Sequence, residues 1–273
     1  MGRTMRRLLS FECEGLRLGG SLDEAPGSIG LLIVTGGSQT RIGSHRMFER
    51  LAAEVAAAGY PCFRFDRRGV GDSEGEDPGF EASGTDIAAA AQAFRAECPG
   101  LSKLAGFGLC DGATALSLFG AEAGIDTLLL ANPWFVEAEA GAPPPAAIKR
   151  HYRDRLLSVS GWKKILTGSI SYRKLLSGLM KIAAPAPTDL AGKVGVALSA
   201  RPLPLRLMLA RTDATAVAAA DIWASSAFRP IRERNPAPCF IETDSHTFAR
   251  PGDEKKLREA VLAGLREGTY IRV

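Results

Sequence analysis

Lys103-Leu104-Ala105-Gly106-Phe107-Gly108-Leu109-Cys110-Asp111-Gly112-Ala113-Thr114-Ala115-Leu116 reads as a buried strand, a turn and a helix. Gly108-Leu109-Cys110-Asp111-Gly112 has the small-x-nucleophile-x-small spacing of a nucleophile elbow, with cysteine at the centre. Such an elbow holds its central residue in a strained backbone conformation, and the flanking glycines leave room for the adjoining strand and helix. The turn presents Cys110 at the tip of a sheet and at a helix N-terminus, where backbone N–H groups and the helix dipole favour negative charge. An isolated cysteine between strand and helix is more often a buried core residue, so the surrounding chain has to supply the case for chemistry.

Earlier strands frame the elbow. Two short strands, Leu8 to Glu14 and Leu16 to Leu22, precede the buried run Ile29 to Val34, and Thr35-Gly36-Gly37-Ser38-Gln39-Thr40 follows as a glycine turn. Behind an elbow, a loop of this kind supplies one backbone N–H of an oxyanion hole. Gly37 and Ser38 are the candidates, with the N–H of Asp111 as the other donor. A helix spans His45 to Ala58, Tyr60 to Asp66 is the next strand, and Thr85 to Glu97 is an alanine-rich helix. Thr127 to Trp134, Leu203 to Ala210 and Pro238 to Glu242 complete the strands, and a helix from Gly252 to Gly268 closes the chain. Alternation of strand and helix predicts an α/β protein with a mostly parallel sheet covered by helices on both faces.

Gly71-Asp72-Ser73-Glu74-Gly75 matches Gly-x-Ser-x-Gly to the letter, but a charged, proline-broken loop follows it where a helix is required. Ser73 is therefore a structural loop residue. The Gly106-x-Gly108-x-x-x-Gly112 spacing has one residue too many for a dinucleotide-binding fingerprint.

Composition changes near residue 138. Gly141-Ala142-Pro143-Pro144-Pro145 is a stiff linker, and the stretch beyond reads as helices without a strand. Lys149, Arg150, Arg153, Arg155, Lys163, Lys164, Arg173, Lys174 and Lys181 make it basic. We divide the chain into a core over 1–137 and 196–273 and a helical lid insertion over 138–195. The basic helices are either solvated faces or a surface for an anionic substrate or an acidic carrier.

Asp213 and His246 each lie just beyond a late strand and follow Cys110 in the order nucleophile, acid, base. His246 is one of three histidines; His45 precedes the nucleophile and His151 lies in the lid. Asp244 and Asp221 are weaker alternatives for the acid. His45, Arg46 and Trp134 are candidates for touching substrate. A neighbouring imidazole takes the thiol proton and the aspartate behind it fixes the tautomer. Asp111 complicates this: were its carboxylate aimed at the sulfur, it would cancel the helix-dipole benefit, so activation should depend on His246.

The full chain has 273 residues, a net charge of +4, and five cysteines without a Cys-x-x-Cys pair. These features argue against a zinc site, a disulfide framework and nucleic acid as a default partner. No cofactor or metal is expected. No run approaches the ~18 apolar residues of a membrane span, and a cytoplasmic setting with reduced thiols is expected.

Ile33 to Gln39 with Gly43-Ser44-His45-Arg46, Arg64 to Gly75, Gly108 to Ala113, Leu130 to Trp134 and Asp244 to Phe248 resemble the α/β-hydrolase family called exosortase A system-associated hydrolase, type 1. The likeness covers nearly the whole chain. It implies an α/β-hydrolase fold with a lid, and a triad of Cys110, Asp213 and His246. It also implies a setting beside exopolysaccharide and protein-sorting systems. Arg211-Thr212-Asp213 departs from the expected pattern, which has a glycine earlier in that turn. The expected activity is hydrolysis of an ester or thioester, on a small molecule or a carrier-bound acyl group. A catalytically silent binding or assembly module on the same fold is the alternative.

Overall fold

The computed structural model describes residues 5–136 and 189–267. Eight strands form one sheet: β1 (Arg6–Cys13), β2 (Leu16–Asp23), β3 (Ile29–Val34), β4 (Cys62–Phe65), β5 (Lys103–Leu109), β6 (Thr127–Ala131), β7 (Leu205–Ala210) and β8 (Cys239–Ile241), in the spatial order β1-β2-β4-β3-β5-β6-β7-β8. β1 and β2 form a hairpin, β2 is antiparallel to β4, and the rest of the sheet is parallel. The hairpin turns on Glu14 and Gly15, both at positive φ (51° and 79°), as a two-residue turn matched to strand twist requires.

Burial explains which strands are central. β6 is buried at every position and β3 and β5 at all but the first, because helices cover both faces, whereas β1 alternates toward solvent. Right-handed crossovers send α1 (Met47–Ala57) from β3 toward β4 and α3 (Asp111–Phe119) from β5 toward β6, on opposite faces. α2 (Gly84–Glu97) packs beside α3, as does α4 (Asp189–Ala200). α7 (Asp253–Glu267), the closing helix, packs beside α1. α5 (Ala214–Ala224) and the short α6 (Arg229–Arg232) follow β7.

Chain direction across the sheet therefore reverses between β3 and β5, and their C-terminal ends bound a crevice. In open α/β sheets ligands bind at this kind of switch point. The Thr35–Thr40 loop and Cys110 lie at its two sides.

The proposed lid lies outside the described residues up to residue 188. From residue 189 the chain is α4, which runs unbroken through the 195/196 boundary and buries Leu190, Val194 and Leu198 in the core. This apolar stripe at four-residue spacing, and not the composition shift, sets where the helix sits. Among the described residues no helix is long and apolar enough to cross a membrane.

Candidate active site

Cys110 stands between β5 and α3 with φ 58° and ψ −127°, a conformation that side-chain-bearing residues rarely adopt. Its neighbours explain why it is held. A Cβ on Gly108 would lie 2.6 Å from the backbone of Gly112 and Ala113, and one on Gly112 would lie 2.6 Å from the Val34 carbonyl. The strand, the helix and the β3 loop thus approach too closely for anything but glycine on either side of Cys110. The Cys110 N–H donates to the Ala131 carbonyl at 3.0 Å, and the Cys110 carbonyl accepts from the Trp134 N–H at 3.2 Å. Cys110 is a free, partly buried thiol.

His246 lies in the loop after β8, and its Nδ1 is 3.0 Å from Asp213 Oδ2. With Nδ1–H donated to the carboxylate, the other ring nitrogen is left for Cys110, its second hydrogen-bonding neighbour. Burial alone would lower the His246 pKa. The hydrogen bonds and charges of Asp213 and Cys110 outweigh it and hold the imidazole up to about 10. Asp213 has two tasks, because the same Oδ2 accepts the Ala216 N–H at 2.9 Å and caps α5. The two alternative acids are placed elsewhere: Asp244 pairs with Arg250 at 3.0 Å, which lowers its pKa, and Asp221 is exposed on α5.

The candidate oxyanion donors have an arrangement that sequence does not disclose. The Gly37 N–H already donates to Asp111 Oδ1 at 2.6 Å, and a Cβ on Gly36 would lie 2.3 Å from that oxygen. The carboxylate therefore lies against the Gly36–Gly37 peptide. Behind the loop, buried Arg67 donates to the Gly37 carbonyl at 2.6 Å and fixes the peptide's orientation. The Ser38 and Asp111 N–H groups have no acceptor among the described residues.

His45 and Arg46 are exposed at positive φ (53° and 62°), and Arg46 is engaged by Glu49 at 2.5 Å. Trp134 is half-buried, and its carbonyl accepts from Thr114 Oγ1 at 2.6 Å. Ser73 is a loop brace: its hydroxyl donates to the Asp66 carbonyl at 2.7 Å and accepts the Gly19 N–H at 3.0 Å. Two residues without a sequence-assigned role, Arg67 and Asn132, join the site from behind. A buried arginine beside a glycine loop, and an asparagine before proline at a strand end, were the available signals. A cavity of about 430 Å³ lined by Leu203, Leu205, Arg206 and Arg234 opens at the opposite end of β6 and β7, away from this chemistry.

Residues 33–174, just over half of the chain, match the family described as serine aminopeptidase, S33. A search of curated proteins found no match. Among solved structures, the chain is similar to the Pyrococcus furiosus esterase Pf2001 (14% identity, 96% of this chain and 92% of that one, TM-score 0.64). It is also similar to Est1E from Butyrivibrio proteoclasticus, solved with ferulic acid bound (15%, 94% and 99%, 0.60). A third is a dienelactone hydrolase from Anabaena variabilis (14%, 97% and 99%, 0.63). At these identities the likeness is one of fold, and the fold is that of the α/β hydrolases.

Proposed function

The chain belongs to the serine aminopeptidase S33 family of α/β hydrolases, and from that premise we propose that it hydrolyses an ester or thioester through an acyl intermediate on Cys110. The observation that carries the reading is the alignment of Asp213, His246 and the strained Cys110 at the sheet's switch point. The family description names serine; here the central elbow residue is cysteine, and the serine of the Gly-x-Ser-x-Gly match is occupied as a brace.

In this mechanism His246 takes the Cys110 proton, which gives a thiolate beside an imidazolium. The thiolate attacks the acyl carbon, the carbonyl electron pair moves to oxygen, and the tetrahedral oxyanion forms against the N–H groups of Asp111 and the Gly37–Ser38 loop. Collapse expels the alcohol or thiol, which takes the proton from His246. Once Cys110 is acylated its negative charge is gone, so His246 loses one of the partners that held its proton. The neutral ring then takes a proton from water, and the resulting hydroxide displaces the thiolate to release the acid. Dienelactone-type substrates fit the same sequence.

The resemblance of the elbow and the Ser44-His45-Arg46 loop supports a setting beside exopolysaccharide or exosortase systems. The basic sequence between Lys149 and Lys181 supports an acyl group presented by an acidic carrier. One observation favours a second reading, a silent binding or assembly module: the Gly37 N–H already has an acceptor in Asp111. Intact-mass measurement after mixing with activated acyl esters and thioesters decides between them. An adduct on Cys110 that vanishes in Cys110→Ala supports hydrolysis; no adduct with any acyl donor supports the silent module.

Activation by His246 has its own test. A thiol at the ordinary pKa of ~8.5 is about 3% thiolate at pH 7, and a more acidic thiol gives a less nucleophilic thiolate, with a Brønsted slope of about 0.4–0.5, so the two effects offset. The rate of iodoacetamide alkylation at pH 7 alone therefore discriminates poorly, and its pH profile discriminates well. The pH profile of Cys110 alkylation in the native protein should differ from that in His246→Ala, where the imidazole that takes the thiol proton is gone. Burial pushes the Cys13, Cys62 and Cys98 thiols up, so these label last. Coincident profiles for Cys110 in the two proteins would overturn the pairing.

A further inference from the structure

Ala131-Asn132-Pro133-Trp134, at the end of β6, meets the backbone of each segment that carries a triad residue. Ala131 and Trp134 grip Cys110 from its two sides through the bonds given above. Between them Asn132 is fully buried with φ 41°. Its Oδ1 accepts the N–H of Ala210, the last residue of β7 and three before Asp213, at 2.8 Å. Its Nδ2 donates to the His246 carbonyl at 2.8 Å, and its own N–H donates to the Met208 carbonyl at 3.0 Å.

Two features separate this from ordinary core hydrogen bonding. A non-glycine residue at positive φ directly before proline is disfavoured on both counts, and such strain persists only where the surroundings impose it. Asparagine is among the few residues that visit this region with modest penalty, and its amide supplies the one donor and one acceptor that the two partners need. The His246 loop also has few anchors. Phe248 is buried, but the remaining hydrogen bonds made by the backbone between Ser245 and Ala249 are local to the loop. Among the described residues, the bond to Asn132 is the one that ties the His246 backbone to the sheet.

We infer that Asn132 is a positioning residue for the base: one buried amide closes β7 and pins the His246 loop, setting the imidazole against Asp213 and Cys110. This rests on the Cys110–His246–Asp213 reading above. Asn132→Asp keeps an oxygen for Ala210 but has no donor for His246, and sets a carboxylate oxygen against the carbonyl. Asn132→Gly removes both bonds but suits the positive φ, so the two variants perturb the backbone and the hydrogen bonds differently.

The experiment compares both variants with the native protein in thermal melting, in the pH profile of Cys110 alkylation and in the rate of acyl-Cys110 formation. Misplacement of a catalytic group by about 1 Å costs on the order of 100-fold, and a fall of that size in acylation is expected. The alkylation profile should shift toward that of His246→Ala while the melting transition stays cooperative. A merely structural role lowers the melting temperature and leaves the profile of the folded protein where it was. That result, in either folded variant, overturns the inference. Absence of any adduct in the native protein instead overturns the acyl-cysteine reading, and the alkylation profile still reports whether Asn132 controls the pair.

Discussion

Asp213→Asn should reduce acylation of Cys110 by about a thousandfold while leaving α5 capped. Asp213 Oδ2 serves two partners, the Ala216 N–H at 2.9 Å and His246 Nδ1 at 3.0 Å, so an amide oxygen in its place keeps both bonds and removes only the negative charge that stabilises the imidazolium. Asparagine is as good an N-cap as aspartate, so the helix start keeps its acceptor. A triad does not tolerate loss of the charge: in the serine–histidine–aspartate template, aspartate to asparagine preserves the geometry and costs roughly 10⁴ in rate. A thiol relies somewhat less on its base than an alcohol does, since a few per cent is ionised unaided, hence the smaller factor here. Asp213→Ala, which loses cap and acid together, should add a destabilisation of ~1 kcal/mol. Single-turnover acylation and thermal melting measured on both variants check the separation. Equal acylation in native and Asp213→Asn proteins would remove Asp213 from the triad.

The same variant carries a pH signature in stability. The folded His246 pKa of about 10 lies above the ~6.5 of an unfolded chain. A raised histidine pKa contributes stability that is fully present below pH ~6.5 and is lost as pH rises through about 10. Because the Asp213 carboxylate is one of the groups holding that proton, the gap in melting temperature between native protein and Asp213→Asn should be widest near pH 6 and close toward pH 10. A gap that widens with pH would mean that His246 is held neutral in the fold.

How far the site could be read in advance depended on the range of the forces involved. The buried strands were legible because Leu31 to Val34 and Thr127 to Ala131 are apolar on both faces, which only a doubly covered sheet accommodates. The elbow was legible from its spacing: the demand on Gly108 is set within five residues by the backbone of Gly112 and Ala113, whereas that on Gly112 comes from the backbone of Val34 and Thr35. Asp213 and His246 were legible as residues directly after strands. The contact between the Asp111 carboxylate and the Gly37 N–H was not, since it is a rotamer choice settled by a loop 74 residues away. Nor was the role of Asn132, whose partners Ala210 and His246 meet it only through the register of β6, β7 and the last loop. The 195/196 division was placed where the helical reading gave way to the next strand, and α4, with its stripe of Leu190, Val194 and Leu198, runs across that point.

With an uncharged acyl ester such as p-nitrophenyl acetate, Asp111→Asn should raise kcat/KM by about 30-fold. The carboxylate rests on the Gly37 N–H, beside the place where the proposed mechanism develops negative charge in its tetrahedral intermediate. Like charges about 4 Å apart repel by about 1 kcal/mol in water and about 4 kcal/mol at an effective dielectric of 20. Asp111 is half-buried, so a penalty of about 2 kcal/mol is the reasonable middle, and each 1.36 kcal/mol is tenfold in rate. Asparagine removes the charge but keeps an oxygen for Gly37, whereas alanine removes both. The comparison therefore separates repulsion from blockage of a donor. Ser38 and Asp111 each retain an N–H without an acceptor among the described residues, so two donors exist even with Gly37 engaged. Repulsion then outweighs blockage, and Asp111→Asn should capture most of the gain seen in Asp111→Ala. A gain confined to alanine would make Gly37 the essential donor and Asp111 its plug. A fall in both variants would make the carboxylate a brace: with Arg67 holding the Gly37 carbonyl from behind, Asp111 would be what keeps the loop's remaining N–H groups aimed at the oxyanion.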